Sequence, residues 1–553
     1  MPESAASPAP VAIVGAGPTG LAAAISLARH GIRSVIIERR TELGRHPKAR
    51  GVRLRTMEIL RSWSLEADLL SAALPADAQR FIYCDSVAGQ ELGRTADVGD
   101  DEAVVSPSRS IRMAQSVLEA HLMRRVERDP LIDVRMGHSV AELAQGPTHV
   151  ILTTEHATGT TRELQAEYVL AADGAGSTVR RILGISAEGA DNLGYWQSIY
   201  WRGDITQHVA GRHCIQFHTG ARRGQPLSVA PVDGNDHWIT MVPMPPGSER
   251  PEPLTDAEAT AAVKAAVGDD ELDPDVLDLS IWRISATIAT SWQHDRVFLL
   301  GDAAHTFPPT GGFGMNCGIH DAHNLTWKLA LVLQDQASPD LLATYESERR
   351  PVATGYASWS VANGQRNRDI SEALREHDDA RLHKLLAAQR DHVLALSQDL
   401  GFSYHVPGQP ERQDEPSEAE GSARFTPAVA IGRRAPHAWL MRDGSRISAL
   451  DLLGETFVLL VPKVRAEWSL GTQRDGDRLP PVSVYAIARG LDVEPADADF
   501  ERLYELDEHG PLLIRPDGHV AWRFTRDERD MRGELDKALG LLTARTSTTA
   551  HLS

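Results

Sequence analysis

Four short apolar runs punctuate the chain, and each ends on a glycine or a carboxylate. Residues 11–14 (VAIV) run into Gly15, residues 35–37 (VII) into Glu38, residues 168–172 (YVLAA) into Asp173-Gly174, and residues 297–300 (VFLL) into Gly301-Asp302. Runs of this length without polar alternation suit strands buried on both faces of a parallel sheet. Helical spacing follows them. Residues 21–29 read as a helix that Gly31 ends. From Asn316 a second helix places Ile319, Ala322, Leu325, Leu329 and Ala330 three and four apart. Gln115, Leu118 and Leu122 open an amphipathic helix, and Ser177, Val179 and Arg180 begin a short one. Strand, turn and helix repeated in this order predict an α/β unit wound about a parallel sheet.

The pattern changes over residues 186–290, where Tyr195, Trp196, Tyr200, Trp201, Phe217, Trp238, Met241, Met244 and Trp282 gather. Alternation at 195–202 and 214–218 predicts strands of a sheet with one face over a cavity. Most such rings are core by default; Trp196, Tyr200, Phe217, Trp238 and Met241 are the candidates for substrate contact. Residues 76–112 are extended and turn-rich. Residues 341–400 are helical and charged, and Pro351 is expected to end one helix after the run at 345–350. Residues 406–426 read as a linker. Beyond Pro427 lies a separate small domain with strands at 456–461, 482–486, 512–515 and 520–523, a Pro516-Asp517-Gly518 turn, and a last helix over roughly 534–543.

A chain of 553 residues has room for roughly three to four domains. Its net charge of −19 argues against nucleic acid or an anionic membrane as partner, without excluding a small basic pocket. Cys84, Cys214 and Cys317 are far apart and form no metal or redox motif, so no metal is expected and a reducing cytoplasm fits. No apolar run approaches the ~20 residues of a membrane helix. The first ten residues lack a basic and an apolar segment and read as a loose tail.

Gly15, Gly17 and Gly20 fit G-x-G-x-x-G between the first strand and helix, with Glu38 at the end of the next strand. In that context Gly15 permits the turn, Gly17 admits a pyrophosphate, Gly20 lets helix pack on strand, and Glu38 reaches ribose hydroxyls. FAD and NAD both satisfy this unit. Arg45, Arg50, Arg53, Arg55 and Arg61 crowd residues 45–61, with Thr56 a possible helix cap. They make either a solvated basic helix entry or a cluster for cofactor phosphates. Asp173-Gly174 is either a capped turn or a second cofactor contact. Asp302 at a strand end, glycines at 311, 312 and 314, and the helix start behind them suit a flat ring with a hydroxylated chain, or else form a plain strand-loop-helix unit whose glycines only make turns.

The motifs G-x-G-x-x-G at 15–20 with Glu38, D-G at 173–174 with Arg180, G-D-A-A-H at 301–305 leading into P-P-T-G-G-F-G-M-N, D-A-x-N-L-x-W-K-L-A at 321–330 and E-R-R-P at 348–351 together resemble the class A flavoprotein aromatic hydroxylases. That FAD-dependent group includes p-hydroxybenzoate hydroxylase and phenol hydroxylase. The tail segments GRRAPHAWL at 432–440, DLLG at 451–454 and LLIRPDGHVAWR at 512–523 resemble the thioredoxin-like C-terminal domain of its longer members, among them hydroxylases of aromatic polyketides of the tetracenomycin and anthracycline type. This tail has no cysteine, so thiol chemistry is not expected of it and a structural or dimer-related role is.

The resemblance implies a Rossmann-like α/β FAD-binding domain of p-hydroxybenzoate hydroxylase type, a β-sheet substrate domain and the thioredoxin-like domain. The implied division is a flexible tail over 1–9, the FAD-binding domain over 10–185 with 76–112 joining the substrate sheet, the substrate domain over 186–290, the second FAD-binding part with helices over 291–405, the linker over 406–426 and the last domain over 427–553. Gly15, Gly17, Pro18, Thr19, Gly20, Glu38 and Arg39 would hold the ADP half of FAD, with Arg50 and Gln115 near its pyrophosphate. Asp173 and Arg180 would touch FAD and be linked to NAD(P)H. Asp302 would bind ribityl oxygens, Pro309 would lie along the flavin, and Gly312, Gly314, Met315 and Asn316 would face its pyrimidine edge. Phe313 stands where many relatives carry glutamine. Pro309, Gly312 and Phe313 are the flavin-loop candidates for catalysis; no base is identified. The implied enzyme is an FAD-dependent, cytoplasmic monooxygenase using NADPH or NADH and O2, through a flavin C4a-hydroperoxide, to hydroxylate a small aromatic substrate, with a polycyclic polyketide expected. A homodimer is possible. The alternatives are a Baeyer–Villiger oxygenase on the same scaffold, a hydroxylase of a simple phenol, and a catalytically silent flavin-binding partner that only shapes a biosynthetic intermediate.

Overall fold

A computed structural model describes residues 9–96, 101–245, 249–409, 425–462, 479–525 and 531–545. Its first sheet sets five parallel strands in the order Val297–Leu299, Tyr168–Ala171, Val11–Val14, Ser34–Glu38 and Ile132–Met136, with Gln293–His294 antiparallel at one edge. The first four of these strands, which the apolar runs predicted, are buried throughout. The helix Pro18–Arg29 packs on the helix Gly314–Leu333. They approach closely because a Cβ on Gly318 would lie 2.2 Å from Thr19 Oγ1, and a 2.7 Å hydrogen bond between Ser26 and Thr326 hydroxyls ties them further along.

The second sheet has seven strands in the order Asp275–Arg283, Tyr195–Arg202, His237–Pro243, Leu227–Pro231, Gln216–Thr219, Phe81–Cys84 and Glu91–Arg94. Its register decides which aromatic residues meet a cavity. Trp201 pairs with Trp238, and Ser198 with Met241 on one side and Ser280 on the other. Neighbours along a strand point to opposite faces. Ile199, Trp201, Phe217 and Trp238 therefore lie under the helix Asp256–Val267, packed with Val263 and Ala266. Trp196, Ser198, Tyr200 and Met241 take the other face, where Tyr200 and Met241 pack against Ala114 and Val117 beside the helix Gln115–Glu127.

The third sheet, also of seven strands, runs Ser445–Ser448, Trp439–Arg442, Val493–Pro495, Val482–Ile487, Phe457–Pro462, Leu512–Ile514 and Val520–Arg523. It is joined to the first unit by a common core: Trp327 and Leu331 of the helix Gly314–Leu333 pack with Phe457, Leu459, Leu513 and Ala521. A buried ionic seam runs beside it. Arg515 donates to both oxygens of Glu348 at 2.7 and 2.8 Å and to Asp517 at 2.5 Å. Lys328 Nζ donates to the same Glu348 at 2.8 Å, and Arg55 donates to the Asp517 carbonyl at 2.7 Å. The D-A-x-N-L-x-W-K and E-R-R-P motifs thus supply one side of the seam, and the R-P-D-G turn the other.

Three local expectations change. Pro351 does not end a helix: the helix Thr344–Glu376 passes through it. An interior proline costs about 3 kcal/mol. Here the ring is exposed, so the carbonyl left without a partner meets water, while Arg349, Val352, Ala353 and Tyr356 around it are buried. Thr56 is not a cap; the helix Leu54–Ser62 begins before it, and its hydroxyl bonds His320 Nε2 at 3.0 Å. The strands at 439–442, 445–448 and 493–495 went unread, being too short or too polar to alternate visibly. Most of the linker expected at 406–426 lies outside the described residues.

Removing Arg515 leaves Glu348 and Asp517 buried without their guanidinium partner. Arg515→Ala is expected to lower stability by about 3–5 kcal/mol, read as a fall in the midpoint of a denaturant titration. A midpoint within error of the parent would contradict the seam's role.

Candidate functional site

The carboxyl ends of the parallel strands converge on one recess. Gly15 turns the chain with φ +105°, donates to the Ile37 carbonyl at 2.8 Å, and sits where a Cβ would lie 2.4 Å from the Ala172 carbonyl. A Cβ on Gly20 would lie 1.9 Å from the Gly15 carbonyl, so this glycine is required for helix to close on strand. Gly17 is different: nothing stands within 4 Å of its missing Cβ, leaving its backbone open to a ligand at the start of the helix. Pro18 occupies the first helical turn, and Thr19 packs against Gly301 and Gly318 instead of facing the recess.

Glu38 is buried and committed. It accepts from the Ala16 N–H at 2.8 Å and from the Arg40 N–H and Nε at 2.9 and 3.0 Å. Burial opposes its charge, but the Arg40 bonds and the Ala16 N–H hold its carboxyl below the usual range. The arginine on Glu38 is therefore Arg40, not the exposed Arg39. No spacing rule singled it out.

Asp302 is the exception among the site carboxylates. Solvent reaches it, yet protein surrounds it, and burial in this recess raises its carboxyl above the ordinary value. It takes no hydrogen bond from any described residue. Its neighbours are firmly held. Asp173 accepts from the Ser177 hydroxyl at 2.5 Å and the Val179 N–H at 3.0 Å, and Arg180 donates to the Ala303 carbonyl at 2.6 Å. The D-G turn is thus capped by its own residues and braces the Asp302 loop.

Behind Asp302 stands a fully buried lattice. Asp321 accepts from the Gly301 N–H at 3.1 Å, from His305 Nε2 at 2.6 Å and from Arg349 Nε at 2.9 Å. Arg349 reaches on to Tyr404 Oη at 3.1 Å and Cys317 Sγ at 3.2 Å. Burial would depress the His305 imidazole, but Cys317 and Asp321 outweigh it and raise it; His305 and Arg349 likewise hold Asp321 low against burial. His305, Cys317 and Asp321 have the donor types of a metal site, but the Arg349 cation already supplies the positive charge there.

The loop after His305 splits into open and inward parts. Pro309 and Gly312 are exposed, and nothing stands within 4 Å of a Cβ on Gly314. The first N–H groups of the helix Gly314–Leu333, lacking intrahelical partners, face this opening. Phe313 turns inward, fully buried between the Arg53 guanidinium, 4.5 Å from its ring centroid, and Tyr356, stacked at 4.1 Å. Asn316 also turns inward, accepting from the Arg53 N–H at 3.0 Å and donating to the Gly51 and Gly312 carbonyls at 3.0 and 2.7 Å. Both fix the loop from behind, and Met315 packs half-buried against the core. Arg50, expected near a pyrophosphate, donates to the Ile215 carbonyl at 3.1 Å and Gln216 Oε1 at 2.7 Å. Gln115 bonds Ala49 and Glu119.

Of the proposed substrate residues, Trp196, Tyr200 and Met241 are half-buried on the sheet face turned to the loop at 46–50, whereas Phe217 and Trp238 are core under the opposite face. Their two-residue period was legible; which face was covered was not. That loop carries His46, unflagged in sequence. Its Nδ1 lies 2.8 Å from Asp278 Oδ2 and its Nε2 3.0 Å from Ser198 Oγ.

Residues 8–360 match the family model described as FAD binding domain, and residues 428–543 match aromatic-ring hydroxylase, C-terminal. The chain is similar to tetracenomycin A2 monooxygenase-dioxygenase of Streptomyces glaucescens, 32% identical with 98% of each chain covered. It is 33% identical to 4-methyl-5-nitrocatechol 5-monooxygenase of a Burkholderia species, over 97% of this chain and 98% of that one. Among solved structures it resembles the flavin-dependent monooxygenase PieE in complex with FAD and substrate, with a TM-score of 0.88, 27% identity, and 98% and 100% of the two chains covered.

Asp321→Asn tests the lattice. Asp321 has its carboxyl lowered in the fold, so its contribution is present above the unfolded value of about 3.9 and is lost as pH falls through the folded value. The variant is expected to be less stable by about 3–5 kcal/mol near neutrality, with the gap to the parent narrowing below about pH 4. Thermal unfolding across pH reads this; a gap independent of pH would contradict it.

Proposed function

Because the chain belongs to the FAD-dependent aromatic-ring hydroxylases, we propose that it is a monooxygenase that hydroxylates a polycyclic phenol or quinone. The observation that carries the reading is Asp302: a carboxylate just past a parallel strand that takes no hydrogen bond from any described residue, while the backbones of Gly17 and Gly314 at two helix starts stand open. FAD fits these residues. Asp302 would accept the ribityl hydroxyls, Gly17 and the helix start at Pro18 would meet the pyrophosphate, and the N–H groups at Gly314 and Met315 would face the ring's electron-rich edge. Glu38 and Arg50 would exchange protein partners for cofactor groups. Bound FAD, reduced by NADPH or NADH, supplies the activation of O2 for transfer of one oxygen atom to an aromatic ring.

This chain's own contribution is placement and exclusion of water. Phe313, Arg53 and Asn316 hold the loop from behind, so that Pro309 and Gly312 stay exposed. Trp196, Tyr200 and Met241 offer broad faces and an adaptable thioether to fused rings. The tetracenomycin relative supports a polycyclic substrate, whereas the nitrocatechol relative acts on a single ring. Three buried free thiols among the described residues suit a reducing cytoplasm.

Two outcomes follow. Asp302→Ala should weaken FAD by about tenfold or more, since each charge-assisted hydrogen bond contributes about 1.5–3 kcal/mol; an unchanged dissociation constant by flavin fluorescence rejects the assignment. A polycyclic phenol should stimulate NAD(P)H oxidation, coupled to product, far more than phenol or 4-hydroxybenzoate. Equal coupling with a single-ring phenol moves the protein to the simple-phenol reading.

A further inference from the structure

We propose that Ser198, His46 and Asp278 form a proton relay that carries the ring-hydroxyl proton of a bound phenol to solvent, with Ser198 meeting the substrate and His46 and Asp278 acting through it. The inference rests on the hydroxylase reading above.

Three observations support it. The first is geometry. Asp278 Oδ2 lies 2.8 Å from His46 Nδ1, and His46 Nε2 lies 3.0 Å from Ser198 Oγ. A carboxylate only accepts, so Nδ1 carries the hydrogen and Nε2 presents its lone pair to the serine hydroxyl. The second is the gradient of exposure. Ser198 is 4% exposed, the His46 side chain 11% and the Asp278 side chain 48%. The chain of groups therefore runs from the buried sheet face to a surface groove that Arg45, His121 and Arg124 also line. The third is position. Ser198 sits between Trp196 and Tyr200 along its strand and opposite Met241 across it, at the centre of the face proposed to hold fused rings.

A Ser–His–Asp series also serves nucleophilic catalysis, but not here. Ser198 lies in mid-strand, paired on both sides, so its own N–H and those beside it belong to the sheet ladder. What remains is proton transfer. The phenolic proton passes to Ser198 Oγ as the serine proton passes to His46 Nε2. The imidazolium, stabilised by Asp278, then releases a proton to water at the exposed carboxylate. The substrate becomes a phenolate, whose ring is more electron-rich towards an electrophilic oxygen, and no other reagent is consumed.

The groups facing His46 are Asp278 and Ser198 on the sheet, Tyr200 with its ring edge-on at 6.2 Å, and Lys48 on the same loop; Arg45, His121 and Arg124 line the groove that Asp278 borders. Burial lowers the His46 imidazole below its ordinary value and Lys48 adds to this, against the opposing pull of Asp278. His46 is thus neutral and able to accept at neutral pH.

The test uses the full-length, FAD-loaded protein without NAD(P)H, so that nothing turns over. 1,2-Dihydroxyanthraquinone is titrated in, and its phenolate absorbance is followed against pH in the parent, His46→Gln, Asp278→Asn and Ser198→Ala. The bound probe is expected to ionise about one pH unit or more higher in His46→Gln and Ser198→Ala than in the parent, a roughly tenfold loss of phenolate at neutral pH. Asp278→Asn should shift it in the same direction. The acid limb of kcat against pH, set by His46 in the parent, should disappear in His46→Gln. Unshifted probe ionisation in variants that still bind and hydroxylate it overturns the relay and leaves the hydroxylase reading standing. If His46→Gln loses FAD, the exposed Asp278→Asn decides alone, by the same shift or its absence. A parent protein that binds no hydroxyanthraquinone, with no polycyclic phenol stimulating NAD(P)H oxidation, overturns both.

Discussion

The site depends on one carboxylate that is not expected to touch any ligand. Asp321 is fully buried and spends both oxygens on protein: one on the Gly301 N–H and His305, the other on Arg349. Gly301 is the residue before Asp302, so the helix that carries Asp321 fixes the strand end that carries the free carboxylate. Arg349 extends the tie to the long helix and to Tyr404. A buried charge is tolerated only when paired and fully hydrogen-bonded. The lattice meets that condition, and so holds the recess open and its free carboxylate in place before any cofactor arrives. Preorganisation of this kind lowers the cost of binding.

The same logic joins the third sheet to the rest. Glu348 is shared by Lys328 and Arg515 and is buried with them. It is sequence neighbour to Arg349, so one helical turn serves both the site lattice and the seam. The tail is thereby tied to the two helices that carry Lys328 and Glu348.

Much of the fold was legible in the chain because its strands are buried on both faces and its turns need glycine. The parallel sheet, the Gly15 turn and the helix behind Asp302 followed from these. The individual contacts were less legible, since a motif does not say which way a side chain points. Asn316 and Phe313 look inward; Arg50 turns to the second sheet; Glu38 is taken by Arg40 and Ala16. Alternation identified the aromatic strands, but only the register and the helix Asp256–Val267 separate Phe217 and Trp238 from Trp196, Tyr200 and Met241. His46 was hidden among arginines, and its partners lie 152 and 232 residues away in sequence. Pro351 misled because a helix tolerates proline where the freed carbonyl meets water.

The claim that all of this serves is transfer of one oxygen atom from O2 to an aromatic ring. The direct measurement is mass spectrometry of the product formed from a coupled polycyclic phenol under 18O2. One 18O on a ring carbon as a hydroxyl is the result this account predicts. An unlabelled product, or label within a newly formed ring ester, would contradict it.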